Sequence, residues 1–243
     1  MNYLRIDMTS FVKFLLRLQG GLTLKDNVPL LETFESNRKR MFSAISGLSG
    51  DSGMTGGSEY ALCGVSLAML NEWAHRRLGP STTYTVEELQ ELPFHIWLEV
   101  VKTMFWEPLR CSEFYERPHL ALAVVDYAFC SGVERAALTL QEVLNKMNAQ
   151  SGSYTTRRKD DDGILRNIRI QIEEDGIIGR ETLTAIQKVL RHATAEREAV
   201  RRICTLRSVF VCSLAEEDRI SVKQRDVLLN RINMIEGTPR WAL

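Results

Sequence analysis

The chain has no excess of charge of either sign, because 31 lysines and arginines are matched by 31 aspartates and glutamates. This balance removes the global electrostatic argument for a nucleic acid or an anionic membrane as the partner. One local basic run, 157–159, is followed at once by three aspartates at 160–162. We interpret the combined run as a solvated loop rather than a polyanion site, because its two halves cancel.

The sequence also lacks a long apolar run that would serve as a signal peptide or a membrane span. The N-terminal stretch carries Arg5 and several apolar residues, but Asp7, Lys13 and Arg17 interrupt it. No small-residue cleavage site follows. We therefore expect a protein that is made in the cytoplasm without a signal peptide and that does not insert into a membrane.

Residue patterns typical of metal and cofactor sites are missing. The five cysteines stand at 63, 111, 130, 204 and 212 without C-x-x-C spacing, which predicts reduced structural thiols. The four histidines, at 75, 95, 119 and 192, form no metal-binding pattern. The sequence shows no phosphate loop, dinucleotide fingerprint, cofactor lysine motif or nucleophile elbow, so we expect no cofactor.

What the sequence does contain is a succession of helical patterns, which predicts a mainly α fold. Thr85 and Glu88 have the spacing of a capping box that opens a short helix. The longer predicted helices cover 8–19, 28–46, 66–79, 94–105, 118–129, 133–147, 180–190, 195–214 and 220–236.

Two stretches break this helical pattern. The first, 47–64, is rich in glycine and predicts a loop or hairpin, which is either a flexible connection or the wall of a groove. The second, 148–174, is polar. There Ile168, Ile170 and Ile172 alternate with polar residues, which favours a long loop or hairpin with one or two short strands.

The predicted helix 28–46 carries an apolar stripe that includes Leu30, Phe34 and Met41. Such a stripe must be buried against something. Either it packs in the protein's own core, or it docks the chain onto a protein partner. Both interpretations remain open at this point.

Four stretches follow one another in an order that indicates a family. They are Gln19-Gly20-Gly21; Gly56-Gly57 through Gly64-Val65-Ser66-Leu67; Phe105-Trp106-Glu107-Pro108-Leu109 with 122–128 and Ser131-Gly132; and Asp175-Gly176-Ile177-Ile178-Gly179 with Thr182. In these stretches the chain resembles the glycoside hydrolase family 108 lysozymes with their C-terminal predicted peptidoglycan-binding region. That family is known from phages and from bacterial secretion accessory proteins.

The resemblance implies a lysozyme-like helical fold and N-acetylmuramidase-type hydrolysis of the glycan strands of peptidoglycan. It implies a groove domain over 1–147 and a C-terminal helical peptidoglycan-binding-like region over 175–243, with the polar loop or hairpin 148–174 between them. The helix predicted over 28–46 is an insertion in the groove domain that the family scaffold lacks. It also implies a route to the cell wall or periplasm through a holin-like pore or an injection machine, or a place in a virion or injection particle.

Gln19 stands where the family has its proton-donating glutamate. Glycoside cleavage needs a protonated carboxylic acid at the leaving oxygen, and general acid catalysis contributes about 10²–10⁴-fold. An amide has no such proton but still forms hydrogen bonds. The sequence therefore predicts either a muramidase whose catalysis is in question or a non-catalytic lysozyme-like protein. The latter would be a glycan-binding or structural component of a phage or secretion apparatus.

The remaining candidate residues each have two interpretations. Glu59 and Asp51 are either a second or displaced catalytic carboxylate or exposed loop charges. Trp106 and Tyr127 stack either on sugar rings or in the core, and Asp126 either faces the groove or anchors its own helix. The predicted substrate-binding set is Gly20, Gly21, Gly56, Gly57, Tyr60, Trp106, Asp126 and Tyr127.

Overall fold

The chain folds mainly into α-helices in the computed structural model, which describes residues 42–45, 59–62, 65–159 and 162–238. These residues contain eight α-helices, and the predicted mainly α fold class is confirmed. In chain order the helices are α1 Leu67–Arg77, α2 Val86–Gln90, α3 Phe94–Val101, α4 Pro118–Ser131, α5 Val133–Ser151, α6 Arg180–Val189, α7 Ala193–Glu216 and α8 Val222–Gly237. A π-helical turn at Lys102–Trp106 continues α3, and a 3-10 turn occupies Cys111–Phe114.

Short strands occur in both stretches where the helical pattern breaks. They are β1 Phe42–Ile45, β2 Glu59–Leu62, β3 Val65–Ser66, β4 Thr155–Lys159 and β5 Leu165–Arg169. The first three form an antiparallel sheet with β2 in the centre, and β4 pairs with β5 as a separate antiparallel hairpin. Of the three alternating isoleucines, only Ile168 lies in a strand, because β5 ends at Arg169.

The helix predicted over 28–46 does not extend through residues 42–45, which form β1 instead. Phe42 pairs with Leu62 and Ile45 pairs with Glu59, so a partner 14 or more residues away determines the local structure. Aromatic and β-branched residues fit a pleated strand as well as they fit a helical stripe. The rest of the predicted helix lies outside the described residues.

Local capping signals set several helix ends. Ser66 accepts a hydrogen bond from the Met69 N–H at the start of α1. At the start of α2, the Thr85 hydroxyl accepts from the Glu88 N–H, and the Glu88 carboxylate accepts from the Thr85 N–H, so the predicted capping box is confirmed. Gly132, with φ of 90°, separates α4 from α5 as the sequence predicts.

The chain divides into two units, and helices α7 and α8 each contribute to both. Unit 1 consists of Met1–Pro108 and Val211–Arg231, and unit 2 consists of Leu109–Phe210 and Ile232–Leu243. These bounds differ from those of the predicted groove domain 1–147, polar segment 148–174 and C-terminal region 175–243. The functional division of the chain into those three regions stays a prediction.

Each unit has its own apolar core. In unit 1, α1 and α3 pack with strands β2 and β3 around Leu62, Leu70, Trp73, Trp97 and Val100. In unit 2, α4 and α5 pack against each other, and α6 packs on α5. Every residue from His119 to Ala128 in α4 is buried, in agreement with the prediction of a central helix.

Candidate functional site

Six of the predicted site residues lie outside the described part of the chain. Their roles stay predictions from the sequence. They are Gln19, Gly20, Gly21, Asp51, Gly56 and Gly57.

Glu59 and Tyr60 lie at the start of the central strand β2. In the sheet register, Glu59 is opposite Ile45, and Tyr60 is opposite Ala44. Strand β2 thus pairs with β1, and residues 47–58 of the glycine-rich stretch lie outside the described residues. The structure fixes the backbone of Glu59 and Tyr60, and their catalytic or binding roles stay predictions.

Trp106 closes the π-helical turn that follows α3. Its side chain is 2% exposed, and the Glu107 N–H donates a hydrogen bond to the carbonyl of Lys102, five residues earlier. Single π-turns inside helices are frequent at functional sites. The indole nevertheless has the burial of a core side chain, so a role in stacking on sugars requires that it become accessible.

Asp126 and Tyr127 both contact the buried guanidinium of Arg207. The Arg207 guanidinium donates from Nη1 to Asp126 Oδ2 over 2.6 Å, and its centre lies 5.2 Å from the Tyr127 ring centroid. Burial raises the pKa of the Tyr127 hydroxyl. The Asp126 side chain is fully buried, which is the arrangement expected of an anchor inside unit 2. A groove role for either residue stays a prediction.

The Asp175–Gly179 turn is held by Gln141, a residue that the sequence analysis missed. Gln141 Nε2 donates to Asp175 Oδ1 at 2.8 Å, to the Ile177 carbonyl at 3.0 Å and to Thr182 Oγ1 at 3.3 Å. Its Oε1 accepts from the Gly176 N–H at 2.9 Å. The hydrogen bond from Gln141 is the largest cause that lowers the pKa of Asp175. The motif residues are therefore parts of one polar cluster.

Gly176 is required in this turn for two physical reasons. Its φ of +76° lies in the left-handed region, which side chains rarely adopt. A Cβ atom there would also lie 2.7 Å from Glu134 Cγ and 3.3 Å from the Glu134 carbonyl oxygen of α5. The glycine lets the turn approach the helix closely enough for the Gln141 hydrogen bonds to form.

Two further amides extend this contact along the same face of α5. The Asn145 side chain donates to the Ile172 carbonyl and accepts from the Ile172 N–H, both at 2.9 Å. Asn148 donates to the carbonyls of Tyr154 and Ile170 and accepts from the Tyr154 N–H. Gln141, Asn145 and Asn148 have the i, i+4, i+7 spacing of one helix face. We call these three residues the amide ladder.

The amide ladder had a signal in the sequence. Gln141 is a polar residue among apolar positions of the helix predicted over 133–147, and its side chain is buried. Asn148 is buried as well, but the sequence analysis assigned it to the polar loop or hairpin 148–174. A buried amide needs hydrogen-bond partners, because an unsatisfied one costs about 1–3 kcal/mol. Sequence spacing alone does not say that the partners are backbone groups of 154–177.

A cavity of about 190 Å³ lies in unit 2, at the N-terminal end of α4, and none of the predicted site residues lines it. Glu196 Oε1 accepts hydrogen bonds there from the N–H groups of His119 and Leu120. The His119 ring lies 2.8 Å from the Ile235 carbonyl through Nε2. The carboxylate thus caps a helix N-terminus, where a negative charge is stabilising.

The described residues show neither a metal cluster nor a membrane span. Within them, no three histidine, cysteine or acidic side chains are arranged so that they could hold a metal ion. None of the helices described is both long and apolar enough to span a membrane. Cys111, Cys130, Cys204 and Cys212 are free thiols, and Cys63 lies outside the described residues.

The fold thus defines a mainly α protein with two units and a polar cluster at a glycine turn. No protein-family model matches the chain, and no curated protein sequence matches it. Among solved structures, it is similar to the structure of Brucella abortus SagA, with a TM-score of 0.46 and 17% sequence identity. That similarity covers 85% of this chain and 97% of the SagA chain. A likeness of this size assigns neither fold nor function.

Proposed function

We propose that this chain is a lysozyme-like protein that binds the glycan strands of peptidoglycan and cleaves them slowly or not at all. The observation that carries the proposal is Gln19-Gly20-Gly21, at the end of an apolar helical pattern, followed in order by three further stretches that resemble the family 108 lysozymes. An amide at the acid position keeps hydrogen bonding and forfeits proton transfer.

The structure supports the proposal at the last of these stretches. The Asp175–Gly179 turn is bound to α5 through Gln141, and the positive φ of Gly176 explains the glycine in the motif. The resemblance to the family in this stretch therefore rests on a turn whose backbone geometry requires glycine at position 176.

A conversion of the acid position tests the proposal. Gln19→Glu supplies the missing carboxylic acid, and we expect it to release soluble, reducing-end fragments from purified peptidoglycan sacculi at least about 10²-fold faster than the natural chain. Gln187→Glu is the matched control, because it makes the same change of charge at an exposed position of α6. A natural chain that digests sacculi as fast as Gln19→Glu would contradict the assignment of Gln19 to the acid position.

A second candidate function is a non-catalytic component of a phage or secretion apparatus. The same amide favours it, since a structural component has no use for a proton donor. Under this alternative, Gln19→Glu would bind sacculi as the natural chain does and would still release no fragments, because the rest of the catalytic arrangement would also be absent.

A further inference from the structure

The β4–β5 hairpin brings two basic runs of the sequence together. Its antiparallel register places Arg157 opposite Asn167, Arg158 opposite Arg166, and Lys159 opposite Leu165. All ten strand residues are exposed, five of them are basic and none is acidic. The interpretation of 157–162 as a run that cancels its own charge therefore misses the second strand, which adds Arg166 and Arg169.

Four cations of the hairpin have no carboxylate partner within the described part of the chain. They are Arg157, Arg158, Lys159 and Arg169, and none of them occurs among its ion pairs. Elsewhere some exposed arginines form ion pairs, whereas others, such as Arg180 and Arg197, occur in none of the described pairs. Arg110 binds Glu113, Arg201 binds Glu198, and Arg225 binds Asp226.

One face of the hairpin carries three of these cations at a regular spacing. Arg157 and Lys159 are two residues apart on β4, so their side chains leave the same face about 7 Å apart. Arg169 is opposite Thr155 in the register and lies on this face as well, diagonal to Arg157. We call Arg157, Lys159 and Arg169 the cationic face.

The cationic face has a fixed base. A two-stranded hairpin is marginally stable on its own. Here Asn148 of the amide ladder binds the backbone of Tyr154 and Ile170, the residues that flank the two strands. The Ile170 N–H also donates to the Tyr154 carbonyl at 3.0 Å. Helix α5 therefore binds the start of β4 and the end of β5, which together form the base of the hairpin, and the strand residues beyond this base are exposed to solvent.

Apolar side chains are exposed beside the cations. Leu165, opposite Lys159 on the cationic face, is 59% exposed, and Ile168, on the other face of the hairpin, is 44% exposed. A polyphosphate has no apolar groups that could pack against these side chains. A short peptide that bears both free carboxylates and methyl groups complements them, and the peptide stems of peptidoglycan have this chemistry.

We infer that the β4–β5 hairpin docks the protein on peptidoglycan by binding the free carboxylates of its peptide stems. This inference rests on the proposed function and adds the part of the polymer that the hairpin recognises. The glycan strand is left to the groove region that the sequence predicts. Because contacts of this kind are screened by salt, binding through the hairpin weakens as ionic strength rises.

Co-sedimentation with purified sacculi, stripped of accessory polymers, tests the inference. The test variant carries Arg157→Gln, Lys159→Gln and Arg169→Gln. The control carries Arg180→Gln, Lys188→Gln and Lys223→Gln, which remove three exposed charges from helices. We expect the test variant to bind about tenfold or more weakly and the control to bind as the natural chain does. Circular dichroism checks that both variants fold.

A second measurement needs no variant. Sacculi whose carboxylates have been converted to amides are expected to lose most of their binding to the natural chain. Equal binding of the test variant and the natural chain, or equal binding to amidated and untreated sacculi, would overturn the role of the hairpin. In those cases the proposed function would still stand. A natural chain that fails to sediment with any sacculi would overturn the proposed function itself, and the inference with it.

Discussion

Removal of one partner from the buried ion pair of Asp126 and Arg207 gives the sharpest test of how unit 2 is held together. The two side chains are 0% and 2% exposed, and the atoms that join them lie 2.6 Å apart. Arg207→Met leaves the carboxylate in an apolar interior without this counter-ion. A buried charge left in this way costs about 3–5 kcal/mol, and we expect the free energy of unfolding to fall by that amount.

A double variant separates the loss of the charge pair from the loss of packing. Asp126→Leu combined with Arg207→Met removes both charges and keeps apolar volume, and such replacements are often neutral or stabilising. We therefore expect the double variant to recover most of the stability that Arg207→Met loses. Urea unfolding followed by circular dichroism measures both, provided that the slope with denaturant stays unchanged.

Two outcomes would refute the reasoning. Unchanged stability of Arg207→Met would show that the pair does not anchor α4 to α7. A double variant that folds normally and yet loses its binding to sacculi would assign Asp126 to the groove rather than to the interior.

Two further predictions concern glycine and cysteine. Gly176→Ala is expected to cost about 1–3 kcal/mol more than Gly163→Ala, because both residues have φ of +76° but only the first would contact Glu134; equal losses in urea unfolding would contradict this. Burial raises the pKa of Cys111 and raises that of Cys204 to about 12, so both thiols should react with a disulfide reagent only as the chain unfolds. Prompt labelling of the folded chain at either position would be inconsistent with their burial.

The sequence predicted those parts of the fold that depend on nearby residues. The capping box of Thr85 and Glu88 spans three residues, and the break at Gly132 follows from one residue between two apolar helices. The burial of α4 was predicted because nearly all of its residues are apolar, and such a helix is stable only in the core.

What the sequence could not give depends on distant partners. The strand β1 exists because β2 pairs with it, and the same residues fit a helical stripe. Asp126 and Arg207 are 81 positions apart in the sequence, so local residue spacing could not predict that Arg207 is the counter-ion of Asp126. The cationic face arises only once β4 and β5 are in register. Of the candidate site, the residues at and around Gln19 were predicted from the family resemblance and stay predictions.

The most direct test of the central claim measures binding and cleavage in one tube. The natural chain is incubated with purified sacculi, the bound protein is measured by sedimentation, and the supernatant is examined by mass spectrometry for reducing-end muropeptides. We predict saturable binding with little or no release of glycan fragments, since Gln19 provides hydrogen bonds but no proton. Rapid release of fragments would contradict the claim that catalysis is lost, and an absence of binding would contradict the claim that peptidoglycan is the partner.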